Sequence, residues 1–219
     1  ITYWCTNFFN SPDYKKIDGQ PVVYIFLAKV LNNNIRSIGM TNQEFFAHAN
    51  ALAQRYGFPG IYFVGGGWGN DTELDYSSNS GYSAFSSYNL HSPATFKLQN
   101  SGTSNFFRSY ADLDVSYRDH WQWMIRNSGL PYIVPVSSGW NKRPWGGSSD
   151  PEHDNSTPTF AEFETHLLAA KTVLSANEDK TKNMAVICCW NEYGEGSYIE
   201  PTKRDGFALL DIVARVFAN

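Results

Sequence analysis

The sequence predicts an α/β fold, the later part of a (β/α)8 TIM-type barrel with about five parallel strands and flanking helices. Short runs rich in β-branched and aromatic residues alternate with helical patterns along the 219 residues, and such alternation gives a parallel sheet with right-handed crossovers. The segments entering the strands, such as Gly57-Phe58-Pro59 and Ser128-Gly129-Leu130, are tight. Those leaving them are long and loaded with Trp, Asn, Asp and Gly, as site-bearing loops at the C-terminal face of a barrel are.

Residues 22–28, 60–65, 84–88, 132–136 and 184–190 read as strands buried on both faces, bounded by Gly, Pro or Asn. Thr41-Asn42-Gln43-Glu44 is a capping box that opens a helix running to about Tyr56, with Phe45, Ala49, Leu52 and Ala53 on one face and Gly57 at its end. A second helix is expected over 105–126, carrying Tyr110, Leu113, Tyr117, Trp121 and Met124 at helical spacing and ending at Asn127-Ser128-Gly129. Thr159 and Glu162 form another capping box, opening a helix through Val173, and residues 205–217 read as a last helix behind an Asp205 cap. A full barrel needs eight strands and about 250 residues. The expectation is therefore one barrel domain over residues 1–219, N-terminally incomplete, whose first strands come from a longer parent chain or a partner.

A net charge of −4 without a basic run argues against a nucleic-acid surface, which needs clustered Lys and Arg. Apolar runs such as 21–28 and 184–190 fall far short of the roughly 18 residues of a membrane span, so none is expected. No charged leader opens the sequence, and the compartment stays open. Cys5, Cys188 and Cys189 are odd in number, two of them adjacent, which suits small buried side chains better than a disulfide framework. Metal-ligand spacing is absent, and neither metal nor cofactor is expected; Asp71, Glu73 and Asp75 read as a solvated acidic loop. Aromatic residues make up 16%, many beside Gly, Ser and Asn, and aromatic walls with a few polar groups suit a sugar ligand.

The densest chemical signal is Trp190-Asn191-Glu192-Tyr193-Gly194-Glu195-Gly196, followed by Glu200-Pro201, at the end of the last strand. Glu192 and Glu195 are three positions apart, so a helical turn would put both carboxyls on one face. Crowded carboxyls titrate apart, one staying protonated as an acid while the other ionises, which glycoside chemistry requires. Gly194 and Gly196 would let the backbone turn and approach a ligand.

This stretch resembles the W-N-E-W-x-E-G-x-x-x-E-P signature of glycoside hydrolase family 99 and the related WbsX-like proteins of polysaccharide gene clusters. Three further stretches resemble the same family in the same order: residues 14–23 (Y-x-x-I-D-G-x-P-V), Gly81-Tyr82-Ser83-Ala84 with Tyr88-Asn89, and Ser138-Gly139-Trp140-Asn141-Lys142-Arg143. The chain departs from the pattern at Ser83 and Asn141, where many relatives carry Asp, and at Tyr193, where Trp is usual. The resemblance implies a retaining glycoside hydrolase acting on an α-linked, mannose-containing glycan of oligo- or polysaccharide size. It makes Glu195 the general acid and base, with Glu192 assisting the substrate's 2-hydroxyl through an epoxide-like intermediate. A hydrolase of this kind is expected in the extracellular space or the periplasm.

The expected sugar contacts are Trp190, Asn191, Tyr193 and Glu200 of the motif, Tyr88 and Asn89 at an earlier strand end, and Trp140 and Asn141 of the loop after the fourth strand. Trp145 and His153 in that loop are weaker candidates for the same sugar site, with surface packing as the alternative. Trp68, behind Gly65-Gly66-Gly67, reads either as a stacking platform or as a plug over the barrel end. His48, His120 and His166 lie in helices without a Ser or Cys nucleophile to serve. Two other functions fit: a glycosyltransferase of surface-polysaccharide synthesis, against which stands the lack of a G-x-G-x-x-G loop, and a carbohydrate-binding domain without turnover.

Overall fold

The computed structural model describes residues 1–67, 74–90 and 109–218. After α1 (Thr2–Asn7), the chain forms an antiparallel pair, β1 (Lys16–Ile17) and β2 (Gln20–Ile25). Asp18 and Gly19 join them with φ of 49° and 79°, both left-handed, as a two-residue hairpin with matching twist requires. From β2 to β6 the pairing is parallel and follows chain order. β2 pairs with β3 (Tyr62–Gly65) and β3 with β4 (Ala84–Phe85), while a bridge from Phe85 to Tyr132 leads to β5 (Val134–Ser137), which pairs with β6 (Ala185–Cys188). Among the described residues no pairing joins β6 back to β2, so the sheet is open and no barrel closes.

Helices fill the crossovers: α2 (Ala28–Ser37) and α3 (Asn42–Gln54), then α4 (Tyr110–Asn127), then α5 (Phe160–Ala176) with α6 (Glu178–Thr181). A last helix, α7 (Ala208–Phe217), packs on α5. Both capping boxes form as expected, Glu44 N–H donating to Thr41 Oγ1 at 3.2 Å and Glu162 N–H to Thr159 Oγ1 at 3.3 Å. The reciprocal carboxylate contacts are 2.8 Å in each. α4 is capped by Ser109, whose hydroxyl accepts from Asp112 N–H at 3.1 Å; the expected start at residue 105 lies outside the described residues. Asp205 does not cap α7, because Arg204 and Thr202 occupy its carboxylate.

The two sheet faces bury separate clusters. Phe63, Phe85, Val134 and Val136 pack under the helices against Phe46, Leu113, Trp121, Met124 and Leu167. Tyr62, Val64, Ala84 and Ile133 point to the opposite face with Val22, Tyr24 and Val186, the alternation a strand imposes. β3 and β5 are buried on both faces, as expected, but β2 and β6 are largely half-buried. β6 pairs with β5 alone among the described residues, which explains its exposure. None of the described helices is long and apolar enough to cross a membrane.

Candidate active site

β6 ends at Cys188, and Cys188 and Cys189 form a vicinal disulfide where separate buried side chains were expected; joining neighbours, it ties no distant segments together. Beyond Trp190 the chain turns back on itself. β7 (Asn191–Glu192) pairs antiparallel with β8 (Ser197–Tyr198), and a 3₁₀ turn over Tyr193–Glu195 joins them. Trp190 C=O accepts from both Ile199 N–H, at 3.0 Å, and Glu200 N–H, at 2.8 Å, which locks the hairpin base. The acidic pair therefore sits on a hairpin rather than on the helical turn expected, Glu192 ending a strand and Glu195 ending the turn.

The glycines serve contacts within the chain. A Cβ at Gly194 would lie 2.0 Å from Trp145 Cε2, so the indole occupies that space. Gly196 is left-handed at φ 64°, and a Cβ there would meet Asn141 Cβ at 2.7 Å. Asn141 N–H donates to Glu195 C=O at 2.6 Å, tying the long loop after β5 to the acidic turn. Both glycines were expected to admit a ligand; they admit loop 140–157 instead.

Glu195 is half-buried, and burial, then the nearby charge of Glu192, raises its pKa. A hydrogen bond with Tyr88 and the charge of Lys142 oppose that rise. Its Oε2 is buried without a hydrogen-bond partner among the described residues. The Tyr88 hydroxyl also lies 3.4 Å from Cys189 Sγ. Burial, then the charges of Glu195 and Glu192, pushes this phenol up to about 12, so at neutral pH it is a proton donor facing a carboxyl.

The remaining expected contacts divide into rim and foundation. Trp190, Asn191 and Tyr193 are exposed on the rim. Tyr193 packs on Tyr198 with ring centroids 4.9 Å apart and donates to Glu200 Oε2 at 2.5 Å, so Glu200 orients Tyr193. Asn89, expected as a sugar contact, is fully buried beneath the hairpin and engaged within the chain. Its Nδ2 donates to Ser197 Oγ at 2.7 Å and Gly139 C=O at 3.3 Å, and its Oδ1 accepts from Ser137 Oγ at 2.9 Å and Tyr117 OH at 3.1 Å. Trp140 is buried too, its ring 5.6 Å from that of His153. Trp68, Asp71 and Glu73 lie outside the described residues.

Sequence reasoning missed the foundation. His166 accepts from Ser137 N–H at Nε2, 3.2 Å away, so the neutral ring carries its proton on Nδ1, 2.7 Å from Asp114 Oδ1. Ser87 Oγ does meet His120 Nε2 at 3.2 Å, but both are sealed in the core, and burial lowers the His120 pKa to about 4. That pair lacks the access a nucleophile needs. Asp154 ties the long loop together, accepting from Lys142 N–H at 3.0 Å, Ser148 N–H at 2.8 Å and Ser148 Oγ at 2.7 Å.

Two neighbouring half-buried carboxyls, one with a buried oxygen, beside a phenol donor and exposed aromatic rings form a site suited to proton transfer on a polar, ring-shaped ligand. The family described as Glycosyltransferase WbsX matches residues 1–213. No curated protein and no solved structure matches the chain.

Proposed function

The chain belongs to the WbsX glycosyltransferase family, which makes it a carbohydrate-related enzyme of polysaccharide synthesis or processing, and from that premise we propose a retaining glycoside hydrolase acting on an α-linked, mannose-containing glycan. Glu195 protonates the glycosidic oxygen as it leaves. Glu192 takes the proton of the 2-hydroxyl, whose oxygen attacks the anomeric carbon and closes an epoxide-like ring. Water, deprotonated by Glu195, then opens that ring at the anomeric carbon while Glu192 returns the proton to O2. Two inversions at one carbon restore the starting configuration, and no protein nucleophile takes part. In this reading the arc of parallel strands is the later part of a (β/α)8 barrel formed by residues 1–219 as one domain, with the hairpin at its C-terminal face.

The observation that carries the reading is the setting of Glu195: it ends the hairpin turn three residues from Glu192, half-buried with Oε2 lacking a hydrogen-bond partner among the described residues, and burial, then Glu192, raises its pKa in the direction a general acid needs. The family description favours a second reading, a glycosyltransferase that moves a sugar from an activated donor. The open sheet favours a third, a sugar-binding domain without turnover. Incubation with α-linked manno-oligosaccharides, with product release followed by chromatography, separates the three. Hydrolysis that Glu195→Gln lowers by about 10²- to 10⁴-fold supports the proposal. Transfer from a nucleotide sugar, or glycan binding without cleavage by the unaltered chain, would overturn it.

A further inference from the structure

Trp145 is 60% exposed, on a 3₁₀ turn over Arg143–Trp145 inside the long loop after β5. One side of its indole fills the space a Cβ of residue 194 would take, and Gly194 is the residue between Tyr193 and Glu195. The rest of the ring faces solvent beside the acidic turn. This loop is braced to hold the ring still. Arg143 donates to Asp154 C=O at 3.0 Å and to Asn155 Oδ1 at 2.5 Å, while the Asp154 carboxylate gathers Lys142 N–H and both donors of Ser148. Trp145 N–H and Gly147 N–H both return to Lys142 C=O, at 2.9 and 3.0 Å. A rigid, exposed aromatic surface whose position is fixed relative to a carboxyl pair is the arrangement that holds a sugar ring by its C–H face.

We infer that Trp145 is a specificity-determining stacking platform for the glycan residue next to the one positioned at Glu192 and Glu195. This rests on the glycan reading of the acidic pair. The platform binds a ring outside the reacting centre, so it discriminates by chain length: a disaccharide gains least from it and longer chains most. Trp145 itself performs no proton transfer.

Isothermal titration of Glu195→Gln protein, with and without Trp145→Ala or Trp145→Phe, tests this against α-linked manno- and gluco-oligosaccharides of two to five residues. The expected result is an affinity loss of about tenfold for Trp145→Ala on the longer chains, with little change for the disaccharide. Trp145→Phe keeps affinity within about threefold, since a smaller ring still stacks. Loss of equal size at every chain length, or no loss at all, would overturn the platform while leaving the glycan reading intact. Failure of the Trp145-bearing protein to bind any member of either series would overturn the glycan reading on which the platform rests.

Discussion

Two buried side-chain oxygens, one on Asn89 and one on Glu195, are treated in opposite ways. Asn89 Oδ1, beneath the hairpin, accepts from Ser137 and Tyr117, and its amide donates to Ser197 and Gly139, so each polar atom is engaged. Glu195 Oε2, on top of the hairpin, is buried with no partner among the described residues. A buried group left unsatisfied costs about 1–3 kcal/mol, so the fold supports one position at the expense of nothing and carries a penalty at the other. Foundations are satisfied because they only have to stay put. In the proposed mechanism Glu195 must gain and lose a proton, and it is held instead where burial and Glu192 disfavour its ionised form.

The hardest break of this contrast is at the foundation. Asn89→Leu keeps the branched shape but strands Ser137, Ser197 and Tyr117 without their shared partner in the core. The expected loss is about 3 kcal/mol or more, read as a lower midpoint in urea unfolding at unchanged slope. Unchanged stability would mean those hydroxyls re-pair easily and that Asn89 is no hub.

A smaller break lies between the two regions. In Gly196→Ala the new methyl meets Asn141 Cβ at 2.7 Å and its backbone N and O at 3.0 Å, at a φ of 64° that Ala tolerates poorly. The hydrogen bond from Asn141 N–H to Glu195 C=O is the first contact to give way. The expected cost is about 2 kcal/mol of stability, with turnover lowered about 10²-fold because the acidic turn moves. Turnover falling without any change in thermal midpoint would place the effect on substrate access instead.

Local signals carried much of this into the sequence. The capping boxes at Thr41 and Thr159 are complete in four residues each, and β3 and β5 are apolar enough to announce burial on both faces. α2 was hidden because Asn32, Asn33 and Asn34 are weak helix formers, and the hairpin turn Asp18-Gly19 joins strands of only two and six residues. The acidic pair was legible from its neighbours, but its setting on a hairpin was not, since a three-residue spacing serves a 3₁₀ turn as well as a helix. Asn89 and Trp140 looked like ligand contacts because polar and aromatic residues at strand ends serve either role. Only long-range partners such as Ser197, 108 positions away from Asn89, decide between them.

The least disruptive change sharpens the comparison from the rim. Burial, then the charge of Glu192, raises the Glu195 pKa above the ordinary 4.5, so the folded state holds this proton more tightly than the unfolded state does. Below pH 4.5 the carboxyl is protonated in both states and costs nothing. As pH rises, the unfolded chain releases the proton first, and folding stability falls until pH passes the raised folded value, after which the penalty is constant. Glu195→Gln removes the titration but keeps the shape. Its thermal midpoint relative to the unaltered protein should therefore climb from pH 4.5 upward and then level off, with the onset of the plateau marking the folded pKa. A difference that stays flat across pH 4 to 8 would mean that Tyr88 and Lys142 compensate the charge fully, and the contrast with Asn89 would then lose its electrostatic half.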